Sequence, residues 1–385
     1  MIKVDYKLSI AGWSVDSSQD AKTELIELET CTAMDSPVGG CRIALYASPA
    51  PQPSLLEQAA GAAASALGLG DSGASDSAFS IQVRGQKVKI GDKITIEMTA
   101  ASGSSVVSTT EVQSVRSSFG LTEITGVSGA QKLASTRVNQ VYSAQTLGQI
   151  VNDLAGQAGA DTGTIDDGST YPYFVVHESR SVLTHILELA SVEGMDVYFD
   201  ASNQLNVTAF HKSSADHTFN FGIDILDLEV SKMDPPVEHV VSYGESPASN
   251  QGSDTWHWLV KDLSAYRGEA GSKGRLLTFG DRALRTKGAA DLFATSKLSA
   301  VKDQSSLGRL KLMGDPTVNL GDAFEVKSAK QPQLNGLFKV TSLRHVFGKS
   351  RGYLTLVDFS GQGAAQQGGG QLGQLAGAAA GALGL

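Results

Sequence analysis

The chain has 385 residues, room for two or three domains with their own cores, and carries a formal charge of −9 at neutral pH. Hydrophobic residues make up 41% and charged residues 18%, with 42 glycines, a balance that suits β-rich, turn-rich structure with modest helix. The acidic sign excludes a phosphate-neutralising nucleic-acid surface, and no run of eighteen apolar residues supplies a membrane span.

The opening MIKVDYKLSIAG alternates as a strand and lacks the apolar core of a secretory signal, so synthesis and assembly in the cytoplasm are expected. Cys31 and Cys41 flank the turn DSPVGG. A cross-strand disulfide is conceivable there, but two buried, reduced thiols fit a cytoplasmic product better. Residues 49–79 hold three prolines, the segment LEQAAGAAASALGL and then DSGASDSAF, an insertion between strands of a first β unit. Within it, GLGDSG superficially resembles a phosphate loop, but no Lys-Ser/Thr follows and it opens no helix, so it reads as linker. VKIGDKITIEM at 88–98 is a Gly-Asp turn leading into a half-buried strand. VQSVRSSFG at 112–120 and LTEITGVSG at 121–129 continue as strand and return strand.

Two helices follow. In TLGQIVNDLAGQAG (146–159) and SVLTHILELASVEG (181–194), Thr146 and Ser181 are suitable N-caps. Leu147, Ile150, Val151, Leu154 and Ala155 fall at helical spacing, as do Val182, Ile186, Leu189 and Ala190. Gly159 and Gly194 stand where a left-handed C-cap favours glycine. MDVYFDASNQLNVTAF then gives two strands around a turn, so the middle of the chain is α/β. ESPASNQGSD at 245–254 reads as loop and residues 286–302 as a further helix.

The β unit then recurs. VNLGDAFEVK at 318–327 matches the Gly-Asp strand, and VTSLRHVFG at 340–348 matches VQSVRSSFG. Val112, Ser114, Arg116, Phe119 and Gly120 have identical counterparts in Val340, Ser342, Arg344, Phe347 and Gly348. Two matches in the same order favour duplication over chance, with Arg116 and Arg344 as candidates for a repeated structural or interface role. After Phe359 comes a Gly/Gln-rich linker and a second greasy segment, LGQLAGAAAGALGL, which agrees with the first at eleven of fourteen positions. Gly61 and Ser65 in one copy, and Gly377 and Gly381 in the other, have the spacing that lets helices approach closely.

Chemistry is sparse. None of the seven histidines has a metal-motif spacing. His185 occupies an apolar helical slot and reads as a core residue; His211 and His217 bracket KSSAD and could meet a metal, but a solvated loop is the favoured reading. No activated nucleophile is visible. The candidate sites are therefore interfaces, with no catalytic, cofactor or metal residues.

In this order, the Gly-Asp strand pair, the capped helix leading into MDVYF, and the closing VNLGDAFEVK…GLFKVTSLRHVFGKSRGYLTLVDF resemble the phage late-control protein D family. These are tail hub proteins of contractile-tailed phages, related to the first part of type VI secretion spikes. The helix-hairpin 178–210 and the ending His345-x-Phe347…Gly352-Tyr353-x-Thr355 carry most of the likeness. The resemblance implies an α+β, β-rich chain. Two tube-like antiparallel β-barrel domains (1–130, with the insertion, and 216–360, with the helix) flank an α/β middle at 131–215, and 361–385 form a linker and tail. It further implies a pseudo-sixfold trimeric ring that adapts a sixfold inner tube to a threefold spike. The expected partners are two further copies, a separate spike protein, an inner tube or tube-initiator protein and baseplate wedge proteins, with a tape-measure or cargo protein in the lumen. The Ala/Gly/Leu segments are no part of that family pattern. A cell-wall-degrading enzyme, or a membrane-active protein using those segments, are the alternatives; fourteen residues of helix span only about 21 Å against a hydrocarbon core of about 30 Å.

Overall fold

Alternating apolar residues build the first unit. In Lys93-Ile94-Thr95-Ile96-Glu97-Met98, every second side chain is buried, as expected where one face of a sheet covers a core. The computed structural model describes residues 4–11, 13–17, 25–34, 36–46, 81–83, 86–210, 212–247, 259–261, 266–281, 283–331 and 334–361. Its first unit comprises β1 (Asp5–Ile10), β2 (Trp13–Asp16), β3 (Leu25–Ala33), β4 (Gly40–Tyr46), the small hairpin β5 (Ile81–Val83) and β6 (Gln86–Val88), then β7 (Lys93–Ala100), β8 (Gly103–Ser118) and β9 (Leu121–Val127). Leu8, Leu28, Ile43, Ile96 and Ile124, from five different strands, meet in one core. The Ala/Gly/Leu insertion falls between β4 and β5, and both greasy segments lie outside the described residues.

The middle comprises α1 (Ala130–Ser135), β10 (Gln140–Thr146), α2 (Leu147–Ala158), β11 (Thr162–Ile165), β12 (Thr170–Val176), α3 (Val182–Glu193), β13 (Asp196–Phe199) and β14 (Leu205–Thr208). Thr146 forms a capping box with Gln149, and the Ser181 hydroxyl accepts from the Thr184 amide. Both helices end on left-handed glycines, Gly159 and Gly194. The two apolar stripes face one shared core, with Leu154 and Leu189 fully buried.

The last unit comprises β15 (His217–Asn220), β16 (Ile225–Lys232), β17 (His239–Pro247), β18 (Leu259–Lys261), β19 (Arg267–Ala270), β20 (Leu276–Asp281), α4 (Lys287–Gln304), β21 (Ser306–Met313), β22 (Ala323–Lys327), β23 (Gly336–Gly348) and β24 (Gly352–Ser360). Here the chain departs from a plain β unit. β17, β19 and β20 pair among themselves, β20 parallel to β17, and α4 packs on them as a separate layer spliced between β16 and β21.

β16, β21, β24 and β23 repeat β3, β4, β9 and β8 strand for strand, and β22 repeats β7. Lys93 stands opposite Glu111 as Ala323 stands opposite Lys339. Val112 faces Gly126 as Val340 faces Phe359. Ile43 faces Ile124 as Leu310 faces Val357. Even the bulges coincide, one after Val112 and Val340, another after Leu25 and Ile225. The Gly-Asp turns share their hydrogen bonds. The Gly91 amide donates to the Val112 carbonyl at 2.8 Å and the Gly321 amide to the Val340 carbonyl at 3.1 Å. Asp92 Oδ2 accepts from the Lys89 amide and Asp322 Oδ2 from the Asn319 amide, at 2.6 and 2.8 Å. Both glycines have positive φ, 91° and 78°, which any Cβ would resist.

The two units are one sheet of thirteen strands, since β23 pairs directly with β3; its path of eleven strands, with β15 and β22 as a branch, closes neither unit on itself among the described residues.

Candidate assembly interface

The joint between the units is an antiparallel ladder from Ser342 opposite Ala33 to Gly348 opposite Glu27. Arg344 makes an ion pair with Glu29 across it, and Arg351 Nη1 lies 3.5 Å from Glu27. Apolar groups cross the same line. The Phe347 ring sits 5.3 Å from Tyr6, and Tyr353 joins the core of the first unit. Beneath them His345 is buried, its Nδ1 2.9 Å from the Tyr353 hydroxyl and 3.2 Å from the Thr355 hydroxyl. Burial pulls its pKa down to about 4 and pushes the Tyr353 hydroxyl up, so both are neutral. A neutral hydrogen-bonded core with an ion pair at its rim describes a permanent joint.

A second cluster ties the Gly-Asp turn of the last unit to the start of β15. The Asp322 carboxylate receives His217 Nε2 at 3.0 Å and Lys212 Nζ at 3.1 Å, while Lys212 also reaches Asp216 at 2.7 Å. Hydrogen bonding to Asp322 raises the His217 pKa. Desolvation is the largest influence on Asp322 and raises it, but the bonds from His217, the Asn319 amide and Lys212 together hold it below its ordinary value. Lys339 pairs with Asp196 and anchors the middle domain to β23. These contacts orient domains. They bring no nucleophile to a base.

Arg116 and Arg344 stand at corresponding positions on β8 and β23, both exposed. Arg344 is engaged in the joint; Arg116 makes no ion pair among the described residues. Gly61, Ser65, Gly377 and Gly381 lie outside the described residues, as does His211. The reading of two buried cysteines needs correction: Cys41 is buried, Cys31 is exposed, and no disulfide joins them. Cys31 pairs with Gly40, so Cys41, one residue on, points to the opposite face. His185 is buried as expected, its Nε2 3.0 Å from the His177 carbonyl. Among the described residues no group of His, Cys, Asp and Glu could hold a metal ion. A shallow polar cleft lined by Gln140, Tyr142, Gln149, Asp153 and Asp167 offers a Tyr142–Asp153 hydrogen bond of 2.7 Å. Burial and that carboxylate push the Tyr142 hydroxyl up, so it is held protonated.

Sequence reasoning missed the partner strands of the joint. LIELETCT at 25–32 and ILDLEVSK at 225–232 are the same strand in the two units, and Leu28, Glu29, Leu228 and Glu229 were the legible signal.

This fold is similar to those of solved phage tail proteins and of a type VI secretion component. The prophage MuSo2 43 kDa tail protein from Shewanella oneidensis superposes with a TM-score of 0.62 at 11% identity, over 92% of this chain and 98% of that one. A tail protein from Neisseria meningitidis MC58 gives 0.63 at 12%, over 93% and 97%. The E. coli c3393 protein, a type VI secretion component described as similar to the T4 tail proteins gp27 and gp5, gives 0.56 at 12%, over 93% and 77%. No family model matches the sequence, and no curated protein does.

Proposed function

We propose that the chain is a structural hub of a contractile tail or a phage-derived contractile injection particle, without catalysis. The carrying observation is the unit built twice with one register, the two copies already joined edge to edge. A homotrimer of such a chain presents six near-equivalent units to a sixfold inner tube, while its true threefold symmetry suits a separate spike protein. Tail-protein neighbours that match nearly end to end support a tail component over an enzyme. In this reading the layer of β17, β19, β20 and α4, present once per chain, faces baseplate proteins, and the Ala/Gly/Leu segments gather in the lumen against a tape-measure or cargo protein.

Native mass measurement tests the ring. Three chains are expected; monomer or dimer, both in solution and in assembled particles, overturns it. Deleting residues 371–385 together with 54–70 tests the lumen role, which fails if assembly, lumen contents and injection are unchanged.

A further inference from the structure

In the middle domain α2 and α3 are both twelve residues long, start on a hydroxyl N-cap and end on a left-handed glycine. Their positions can therefore be matched from the caps, and they differ at one corner. Arg180, just before the N-cap of α3, reaches Glu188 at 2.9 Å. The matching residues on α2 are Gln145 and Asp153, which no hydrogen bond joins among the described residues. Leu187 packs against the domain core, where α2 carries the exposed Asn152. Where α3 closes its corner with an ion pair, α2 leaves a cleft of about 490 Å³ against β10. That lies within the about 300–1,000 Å³ of small-ligand sites.

The backbone turns one further group into this cleft. Gln140 and Tyr142 lie two residues apart on β10 and share a face, whereas Gln145 belongs by alternation to the other. Before Gln145, Ala144 has a φ of 51°, a conformation that a side chain resists. Ala144 stands across from Pro172, between the pairs Ser143–Tyr173 and Gln145–Tyr171, and proline has no amide to hold an extended partner. The alternation breaks there, and Gln145 joins Gln140 and Tyr142 in the cleft.

The chemistry on offer is narrow. Asp153 takes the Tyr142 hydroxyl at 2.7 Å and the Gln157 amide at 2.8 Å on one oxygen, Oδ2, which leaves Oδ1 open. The side chains of Gln140, Gln145 and Asp167 hold no hydrogen bond among the described residues. No lysine, arginine or aliphatic side chain lines the cleft among the described residues. Two carboxylates without a cation repel phosphate and other anions, and a lipid or apolar peptide finds no contact. Carboxamides donate and accept, carboxylates accept, and a hydroxyl does both. The complementary ligand is rich in hydroxyls and carries no negative charge.

We propose that this cleft binds a neutral oligosaccharide, whose hydroxyls bridge the carboxamides of Gln140 and Gln145 and the open oxygens of Asp153 and Asp167. Such a site gives a tail component a contact with glycan that assembly does not require, and the inference stands apart from the ring reading.

Calorimetric titration of the full chain with tri-N-acetylchitotriose, maltotriose and cellotriose tests it, with trilysine as the contrasting probe. At least one saccharide should bind saturably with a Kd of about 1 mM or tighter. Gln145→Arg gives α2 the ion pair of α3 and should weaken binding at least about tenfold, while α2 keeps its exchange protection. Gln140→Ala, on the strand and clear of the helix cap, should weaken it about as much. No saturable binding by any of these saccharides, or equal binding by the wild type and both variants, overturns the proposal. So does binding of trilysine alone, which makes the cleft an acidic patch for basic segments. A chain that binds saccharide yet stays monomeric, in solution and in particles, keeps this inference and loses the ring.

Discussion

Phe359 sits opposite Gly308 in the last unit, and the corresponding pair in the first is Gly126 opposite Cys41. The glycine has changed strands, but a small residue always faces a larger one. Phe359 is buried, with ring centroids 4.6 Å from Phe338 and 5.2 Å from Phe324. Phe359→Ala should cost about 3–5 kcal/mol, from lost burial and the cavity left among those rings. Gly308→Ala should cost about 1–3 kcal/mol or more by overpacking, since its Cβ would lie 2.2 Å from the Phe359 ring and 2.4 Å from the Glu229 carbonyl. Combined, the ring clash disappears while the carbonyl clash stays, so the double variant should be milder than the sum by about 0.5–3 kcal/mol. Several cores make whole-chain unfolding a poor two-state measurement, so amide hydrogen exchange of β21–β24 is the assay. A loss of 3 kcal/mol there accelerates exchange through the open state roughly 150-fold. Full additivity, or a loss below about 1 kcal/mol for Phe359→Ala, refutes the packing argument.

In the middle domain, Leu189→Ala should cost about 2–5 kcal/mol, read as faster exchange in α2 and α3. A value under about 1 kcal/mol means the site collapses around the gap. Gly126→Ala puts a methyl 2.4 Å from the Thr110 hydroxyl and 2.8 Å from Cys41 Sγ, so β9 should be destabilised by about 1–3 kcal/mol; unchanged exchange in β4 and β9 contradicts this. The His217–Asp322 pair makes stability depend on pH from both sides. The raised His217 stabilises fully below its ordinary value of 6.5, and that contribution is lost as pH rises through the folded value. The lowered Asp322 stabilises above its ordinary value of 3.8, and that contribution is lost as pH falls through the folded value. Exchange protection of β15 and β22 should therefore fall as pH rises above 6.5, and less so in His217→Gln. Equal slopes in both proteins rule out the histidine.

What could be read in advance was what local chemistry writes. Thr146, Ser181, Gly159 and Gly194 bound the two central helices because caps act within a few residues. The Gly-Asp turns and the Val-x-Ser-x-Arg strands were legible because turn geometry demands particular residues and register holds them in phase. The pairing of β23 with β3 was not, since a sheet edge accepts any backbone and leaves little trace in side chains. The insertion of β17–β20 and α4 between counterparts hid the likeness of β16 to β3, because one unit closes that connection with a short turn. Arg116 and Arg344 could be matched as twins from the sequence, but Arg344's partner Glu29 needed the ladder.

The coincident bulges carry a consequence of their own. Each adds one residue to a strand, Gln113 and Thr341 in one pair, Ile26 and Leu226 in the other, and an added residue bends and twists its strand by a set amount. Two units with the same surplus at these two places bend the backbone there in the same way, whatever side chains they wear. The first unit adds a further bulge at Val107, where β7 runs beyond the stretch that β22 shares. Curvature is thus counted in residues, and deleting Gln113 alone should leave a chain whose halves describe arcs of different radius.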